Sequence, residues 1–338
     1  MHDKVISMSS NLSIDRRLSV APMMGYTDRH GRYFLRQFSK YTLLYTEMIA
    51  TAQIIHGDAD RFLKFLPEER PLALQLGGSN PNELAQCSEI GEGKGYDEVN
   101  LNVGCPSKKV SSGNFGVCLM ANPDLVAHCV RDMSAATGIP ITVKCRLGIE
   151  GDYSFDKLCR FVEAVLEAGA ESVIVHARTA VLGGLTPKEN REIPSLRHDW
   201  VWLLKSKFSG AKIVLNGGIQ TIADANAFLP YLDGVMIGRA AISNPMLLAD
   251  VDSAIFEVQS KLPSREEVVD KMINYIDEEL ASGTRLGSIT RHMFGLFQGR
   301  PAARRWRQYL SNNSNRKGAG GEVVRRAIEL MSQNNKPD

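Results

Sequence analysis

Short runs of apolar residues recur along the first three quarters of the chain, and longer amphipathic stretches separate them. Apolar runs of about four to eight residues are typical of buried strands, and the spacing of apolar positions between them is typical of helices. Proline near the start and glycine past the end of NPDLVAHCVRDMSAATG mark one such helix. Eight runs predict strands: LSVAPM (18–23), LLYTEM (43–48), LALQLG (72–77), EVNLNVG (98–104), ITVKCR (141–146), SVIVHA (172–177), KIVLNGG (212–218) and DGVMIGR (233–239).

Strands that are apolar on both faces and alternate with helices predict a parallel sheet. Eight of them between residue 18 and about residue 256 predict an α/β fold, the closed (β/α)8 TIM barrel, which needs about 250 residues. A doubly wound open sheet is the alternative. After about residue 258 four helical patterns follow without strands. We therefore predict a TIM barrel domain at 1–258 and a small all-α helical bundle domain at 259–338.

The composition fits a globular protein, with 43% hydrophobic and 23% charged residues among 338 and a net charge of +2. Six cysteines without any CxxC spacing predict reduced thiols and no metal site. The N-terminus has no signal-peptide pattern, and no apolar run approaches the roughly 20 residues that span a bilayer. We expect a soluble, cytoplasmic protein with no membrane contact and no obligate protein partner.

Polar and reactive residues follow one predicted strand after another, where parallel barrels build their active sites. Glycines at the last two strand ends favour a phosphate site, because backbone N–H groups can approach an anion there. Tight turns are the simpler explanation for either pair alone, and no GxGxxG indicates a Rossmann site. The set is Pro22-Met23-Met24, Glu47, Gln75, Asn102 with Cys105, Lys144 with Arg146, His176 with Arg178, Asn216-Gly217-Gly218 and Gly238-Arg239.

Two members of this set have reactive side chains. Lys144 lies in an apolar strand, where an unpaired ammonium is costly, so it should meet an anion or a reactive carbonyl. It could form a Schiff base or lie beside the pyrimidine end of a flavin, and a lysine reaching the barrel rim is the alternative. Cys105 follows a strand at a tight turn, where it is either a buried small hydrophobe or a proton donor at a cavity.

The strings APMMGYTD, LALQLGG, EVNLNVGCPS, VKCRLG, VHART, LNGGI and MIGRAA, in this order, resemble the tRNA-dihydrouridine synthases. These are flavin barrels that reduce uridine in tRNA. LTPKENREIPSL and LFQGRPAARRWRQYLS are similar to the A-type branch of that family. The likeness extends from about residue 18 to about residue 310, and several of its strings are uncommon.

The resemblance implies an oxidoreductase that reduces the C5=C6 bond of D-loop uridines, at positions 20 and 20a, with FMN as cofactor and NADPH as reductant. Flavin N5 would deliver hydride to C6, and Cys105 would protonate C5, since a thiol with a pKa near about 8.5 is protonated at neutral pH. Lys144 would stabilise the anionic flavin ring and His176 would bind a ring carbonyl. The implied FMN-binding residues are Pro22, Met23, Met24, Gln75, Lys144, His176, Asn216, Gly217, Gly218, Gly238 and Arg239.

Contacts with tRNA are expected from both predicted domains, because a protein that takes up a flipped base must also bind the folded RNA elsewhere. The resemblance implies that Asn102 contacts the target uridine and that Lys188 and Arg191 touch tRNA. Residues 285–321 contain eight Lys or Arg and no acidic residue. There the spacing of Arg300, Arg304 and Arg307 predicts one basic helix face, with Arg305 nearby and with Trp306 and Tyr309 available for stacking. A solvated basic face is the alternative.

Val181 and Ile242 depart from the large aromatic residue and the tyrosine that family members often carry, which leaves the details of tRNA docking open. Three other functions fit part of the pattern. A flavin enzyme for free pyrimidines, of the dihydroorotate or dihydropyrimidine dehydrogenase kind, would share the barrel, FMN, lysine and cysteine, but it would not need the basic helices. A class I aldolase would use Lys144 as an imine. A non-catalytic RNA-binding protein would leave Cys105 unexplained.

Overall fold

The computed structural model describes residues 14–332. Their strands are β1 (Leu18–Val20), β2 (Leu44–Tyr45), β3 (Ile49–Ala50), β4 (Leu72–Gly77), β5 (Glu98–Val103), β6 (Ile141–Arg146), β7 (Ser172–His176), β8 (Lys212–Asn216) and β9 (Gly234–Ile237). All pairs are parallel, in the order β1-β9-β8-β7-β6-β5-β4-β2, and β3 adds to β4. Between β1 and β2, the N–H of Val20 donates to the carbonyl of Leu43 at 3.0 Å. This contact closes the sheet, so the predicted (β/α)8 barrel is confirmed and the open sheet is wrong.

The first two strands are shorter than the predicted runs. β1 ends before Pro22, which has no N–H for a ladder, and the chain then turns so that the N–H groups of Tyr26 and Thr27 both donate to the carbonyl of Met23. The second predicted run contributes only two residues to β2, and the two-residue strand β3 pairs separately with the end of β4. The other six runs match their observed strands closely.

Helices surround the barrel and then continue alone to the end of the described chain. Around the barrel lie α1 (Arg29–Arg36), α2 (Thr51–Ile55), α3 (Ala59–Phe62), α4 (Pro81–Gly93), α5 (Lys108–Ser111), α6 (Pro123–Ala136), α7 (Phe155–Glu167), α8 (His198–Lys207), α9 (Ile222–Phe228), α10 (Arg239–Ser243) and α11 (Val251–Ala254). After them come α12 (Arg265–Ala281), α13 (Leu286–Thr290), α14 (Ala303–Asn313) and α15 (Gly321–Ser332). No helix within residues 14–332 has the length and apolar character to cross a membrane.

Helix α1 joins the barrel to the C-terminal helices. Arg29 forms an ion pair with Glu279 of α12, and Tyr33 stacks on Tyr275 of the same helix with ring centroids 3.9 Å apart. The ring of His30 lies 2.7 Å from the Tyr275 hydroxyl. One apolar core runs from the outer faces of the strands into α12, α14 and α15 without a break. The division at residue 258 stays a prediction, and the outermost parts of both predicted domains, 1–13 and 333–338, lie outside the described residues.

Candidate active site

The structure gathers the predicted strand-end residues at the carboxyl end of the barrel. The Nζ of Lys144 donates to Oδ1 of Asn216 at 2.9 Å, across the barrel from β6 to β8. The side chain of Asn102 donates to Oε1 of Gln75 at 2.8 Å. Gly217 lies against the ring of His176, and Gly238 faces the sulfur of Met23. Eight of the predicted strand-end residues are therefore neighbours in pairs, and their function stays a prediction.

Cys105 lies on a turn that Asn102 holds from below. The Oδ1 of Asn102 accepts the N–H groups of Gly104 and Cys105 at 3.1 and 3.0 Å, and the carbonyl of Cys105 accepts the N–H of Val117 at 3.1 Å. Burial raises the pKa of the Cys105 thiol, and the N–H of Ser107 and the nearby cations oppose this only in part. The sulfur therefore keeps its proton at neutral pH, as a general acid must.

A column of buried polar side chains runs from this turn down the barrel interior. Its members, from mouth to base, are Asn102, Gln75, Asn100, Thr142 and Glu98. Each donates to the next, and the three bonds given by amide groups are each 2.8 Å long. At the base Glu98 also accepts from the hydroxyl of Tyr45 and forms an ion pair with Arg16. We call the five side chains the polar column.

Sequence reasoning missed most of this column, although the signal was present. In EVNLNV the polar residues Glu98, Asn100 and Asn102 alternate with apolar ones, and a period of two places them on one face of β5. The expectation that the strands are apolar on both faces is therefore wrong for β5. The opposite side of the interior is apolar, with Tyr45, Ile174 and Met236 among its buried residues.

Positive charge dominates the upper part of the barrel. Burial lowers the pKa of Lys144 to about 8, with the charge of Arg146 acting in the same direction. Burial also lowers the pKa of Arg146 to about 10, and this guanidinium donates to the carbonyls of Gly104, Thr179 and Asn190 at 2.8–2.9 Å. Within residues 14–332 neither cation has a carboxylate partner. Because uncompensated buried cations are costly, the site is suited to an anionic ligand.

The ring of His176 lies beside these cations as a neutral imidazole. Burial, with the charge of Arg146 and Lys144, holds the pKa of His176 well below its usual value. Gly217 makes room for the ring, since a Cβ at Gly217 would lie 2.6 Å from its Cδ2. With φ at +105°, Gly217 also has a backbone conformation that other residues rarely adopt. The sequence analysis proposed this glycine only for phosphate binding. Its packing against the ring of His176 is a separate reason for a glycine at this position.

The two glycine loops differ in the space around them, because Gly217 and Gly218 are tightly packed and Gly238 is not. A Cβ at Gly238 would meet no atom nearer than the Met23 sulfur at 3.9 Å, so a ligand can approach this backbone closely. At the start of α9, Thr221 and Asp224 cap each other's backbone N–H groups. Arg239 lies over the loop after β7, where it forms an ion pair with Glu192.

The loop after β7 lies beside the Cys105 turn, because Arg146 donates to the carbonyls of Thr179 and Asn190 in this loop and of Gly104 in the turn. Arg191 lies exposed on this loop, and desolvation of its guanidinium together with the charge of Arg239 lowers its pKa. Lys188 is exposed on the outer side of the same loop. Asn190, which sequence reasoning missed, is fully buried and exchanges hydrogen bonds with the backbone of Val181 at 2.8 and 3.1 Å. The loop is thus built around Asn190 and places Arg191 near enough to Cys105 for its charge to act on the thiol.

The basic segment of the C-terminal helices differs from its prediction in two ways. Helix α14 begins at Ala303, so Arg300 precedes it and does not share its face, whereas Arg304 and Arg307 do. Trp306 is wholly buried, donates its indole N–H to the carbonyl of Met293 at 2.9 Å and packs against Phe297. Stacking of a base on Trp306 is therefore excluded. Arg304 and Arg305 are exposed, and Arg307 and Tyr309 are half-buried.

Comparison with known proteins agrees with this architecture. The family model described as Dihydrouridine synthase (Dus) matches residues 19–332. A protein of Synechocystis sp. named tRNA-dihydrouridine(20/20a) synthase is 53% identical over 314 residues, which cover 93% of this chain and 94% of the relative. Proteins of the same name from Vibrio cholerae serotype O1 and Escherichia coli strain K12 are both 52% identical, over 92% and 94% of this chain and 95% and 92% of their own lengths. The chain belongs to the dihydrouridine synthase family.

Proposed function

We propose that the protein is an FMN-dependent oxidoreductase that reduces the C5=C6 bond of uridine to 5,6-dihydrouridine in tRNA, at positions 20 and 20a of the D loop, with NADPH as electron donor. The names of its relatives support tRNA as substrate and these two positions. The observation that carries the proposal is the turn after β5, which holds the Cys105 thiol near Lys144 and Arg146, two cations without a carboxylate partner in the described chain. We expect the protein to act in the cytoplasm.

The residues present fit FMN. When bound, the flavin would supply the hydride for uracil C6. Lys144 would place a positive charge at its ring, and neutral His176 would donate to a ring carbonyl. The open space beside Gly238 suits a phosphate held by backbone N–H groups and Arg239. The remaining proposed contacts are Pro22, Met23, Met24, Gln75, Asn216, Gly217 and Gly218.

Proton transfer is the step that this chain's own residues perform. The S–H bond of Cys105 breaks, its proton forms the new C–H bond at uracil C5, and the sulfur keeps the electron pair as a thiolate. Arg146, Lys144 and Arg191 stabilise that thiolate, since the positive charge of each lowers the pKa of the thiol. Solvent would then return the proton.

Asn102 has one amide hydrogen left for the uracil after it has bound Gln75. Its oxygen is already occupied by the turn, so the contact with the target uridine would be donation to a carbonyl. We propose that residues 1–258 bind FMN and catalyse the reaction, and that residues 259–338 hold tRNA. Lys188 and Arg191 of the barrel, with Arg304 and Arg307 of α14, would contact its phosphates.

A spectroscopic titration tests this function. The purified protein should bind FMN, bleach the flavin absorption on addition of NADPH, and recover it when a tRNA transcript is added, with dihydrouridine appearing in the RNA. Free uridine and dihydroorotate serve as competing substrates. Failure to bind FMN would overturn the proposal, and turnover of a free pyrimidine with none of tRNA would favour the pyrimidine dehydrogenases.

Reversing charge on α14 should weaken tRNA binding. With Arg304→Glu and Arg307→Glu together, the slope of log affinity against log salt should become shallower by about two, because each lost phosphate contact removes about one. Filter binding of tRNA over a range of salt concentrations measures this slope. The pair Arg131→Glu and Arg160→Glu, on exposed positions of α6 and α7, makes the same change in net charge and serves as control. Equal effects of the two pairs would count against a docking role for α14.

A further inference from the structure

The polar column has a fixed direction, and its lower end determines it. A carboxylate only accepts hydrogen bonds, so the hydroxyl of Thr142 must donate to Glu98. The oxygen of Thr142 is then free to accept, and it takes the Nδ2 of Asn100 at 2.8 Å. Asn100 therefore turns its oxygen towards Gln75, whose Nε2 donates to it at 2.8 Å.

The same rule orients the upper end of the column. Because Gln75 donates through its nitrogen, its oxygen is left to accept Nδ2 of Asn102. The Oδ1 of Asn102 consequently faces the turn, where it accepts the N–H groups of Gly104 and Cys105. An amide side chain alone could sit in either of two orientations. Here the carboxylate at the base sets the orientation of Asn100 and Gln75, and the donating N–H groups of Gly104 and Cys105 require the matching orientation of Asn102 from the other end.

The residues that hold Glu98 in place are not among the proposed catalytic residues. It is fully buried, and its two oxygens accept from Tyr45 and Thr142 on one side and from Arg16 on the other. Burial alone would lower the pKa of Arg16, but the negative charge of Glu98 outweighs that effect and raises the pKa. The base of the column is therefore a buried ion pair between Glu98 and Arg16.

We propose that Glu98, Thr142 and Asn100 are positioning residues, which act through Gln75 and Asn102 to hold the turn that places the half-buried thiol of Cys105 at the carboxyl end of the barrel. The inference rests on the proposed function for its catalytic meaning. The geometric part of the inference, which is that the column fixes the Cys105 thiol, does not depend on that function. A break in the column weakens the anchoring of Asn102 through Gln75, and the turn, which Asn102 holds by two hydrogen bonds, is then less firmly fixed.

Thr142→Val tests the proposal, because valine keeps the shape of threonine but neither donates nor accepts. Alkylation of Cys105 by iodoacetamide is followed from pH 7 to pH 10 in the full chain, with Cys105→Ala giving the background. We expect alkylation at pH 7.5 to be several-fold faster, because a less buried thiol has a lower pKa. Activity on tRNA should fall at least tenfold in kcat, with KM within about twofold. Thr142→Ser should restore both.

Tyr45→Phe is the matched control, since it removes another hydroxyl that donates to the same oxygen of Glu98 but lies outside the path to Cys105. It should leave the alkylation profile and kcat unchanged. Thr142→Val with a wild-type profile, or an equal change in Tyr45→Phe, would overturn the proposal. If thermal unfolding shows that Thr142→Val does not fold, Asn100→Leu breaks the next link and carries the same expectations. A wild-type protein inactive on tRNA would refute the proposed function, while alkylation would still decide the role of the column.

Discussion

Replacing Cys105 with alanine is expected to lower the rate of dihydrouridine formation by about 10²–10⁴-fold, the usual contribution of a general acid. The thiol is the protonated group that the turn after β5 holds beside the pocket, and burial keeps its pKa raised. FMN binding should persist, because the proposed flavin contacts come from other residues. Single-turnover reduction of a tRNA transcript by the pre-reduced protein, followed through flavin absorption, measures the chemical step alone.

Cys118→Ala is the appropriate control for this variant. Cys118 is a second half-buried thiol, which lies in the 3-10 helix Gly116–Ala121 just beyond the turn, and its pKa is likewise raised by burial. It should react at the wild-type rate. Full activity of Cys105→Ala would remove the proton-donor role, and loss of activity in both variants would indicate damage to the segment that follows β5.

Replacing Lys144 with methionine should weaken FMN binding by at least tenfold and make the ligand-free protein more stable. These opposite effects have one cause, namely that a buried ammonium without a carboxylate partner is costly until an anion arrives. A pKa lowered from 10.5 to about 8 corresponds to an upper limit of roughly 3 kcal/mol in the free energy of unfolding. Flavin titration and chemical denaturation of the ligand-free protein measure the two quantities.

The pH dependence of stability gives an independent check on Lys144. Because its pKa is lower in the folded than in the unfolded chain, its destabilising effect is fully present below about pH 8 and is relieved as the pH rises towards 10.5. The difference in unfolding free energy between Lys144→Met and wild type should therefore shrink over that interval. Lys207→Met, at an exposed position of α8, should show no such trend. A difference in unfolding free energy that stays constant over this interval would mean that folding does not lower the pKa of Lys144.

The barrel could be predicted because its outward-facing strand residues pack under helices, which requires repeated apolar runs whatever the function. The mouth could be predicted because strand ends meet there. What pattern reasoning missed depends on contacts distant in sequence: Glu98 is 82 residues from Arg16 and 44 from Thr142. Trp306 was assigned wrongly for a related reason, since a tryptophan in a basic helix is equally consistent with stacking on RNA and with a core that only the fold assembles.

Helix α1 has a consequence for building chimaeras within the family. It lies in the barrel part of the sequence, yet Arg29, His30 and Tyr33 contact α12, and Asp28 just before it lies 2.9 Å from His292. A hybrid that exchanges only the residues after 258 would place foreign helices against these four side chains. Domain exchange designed to transfer RNA preference should therefore carry residues 28–36 with the C-terminal helices, as one recombination block.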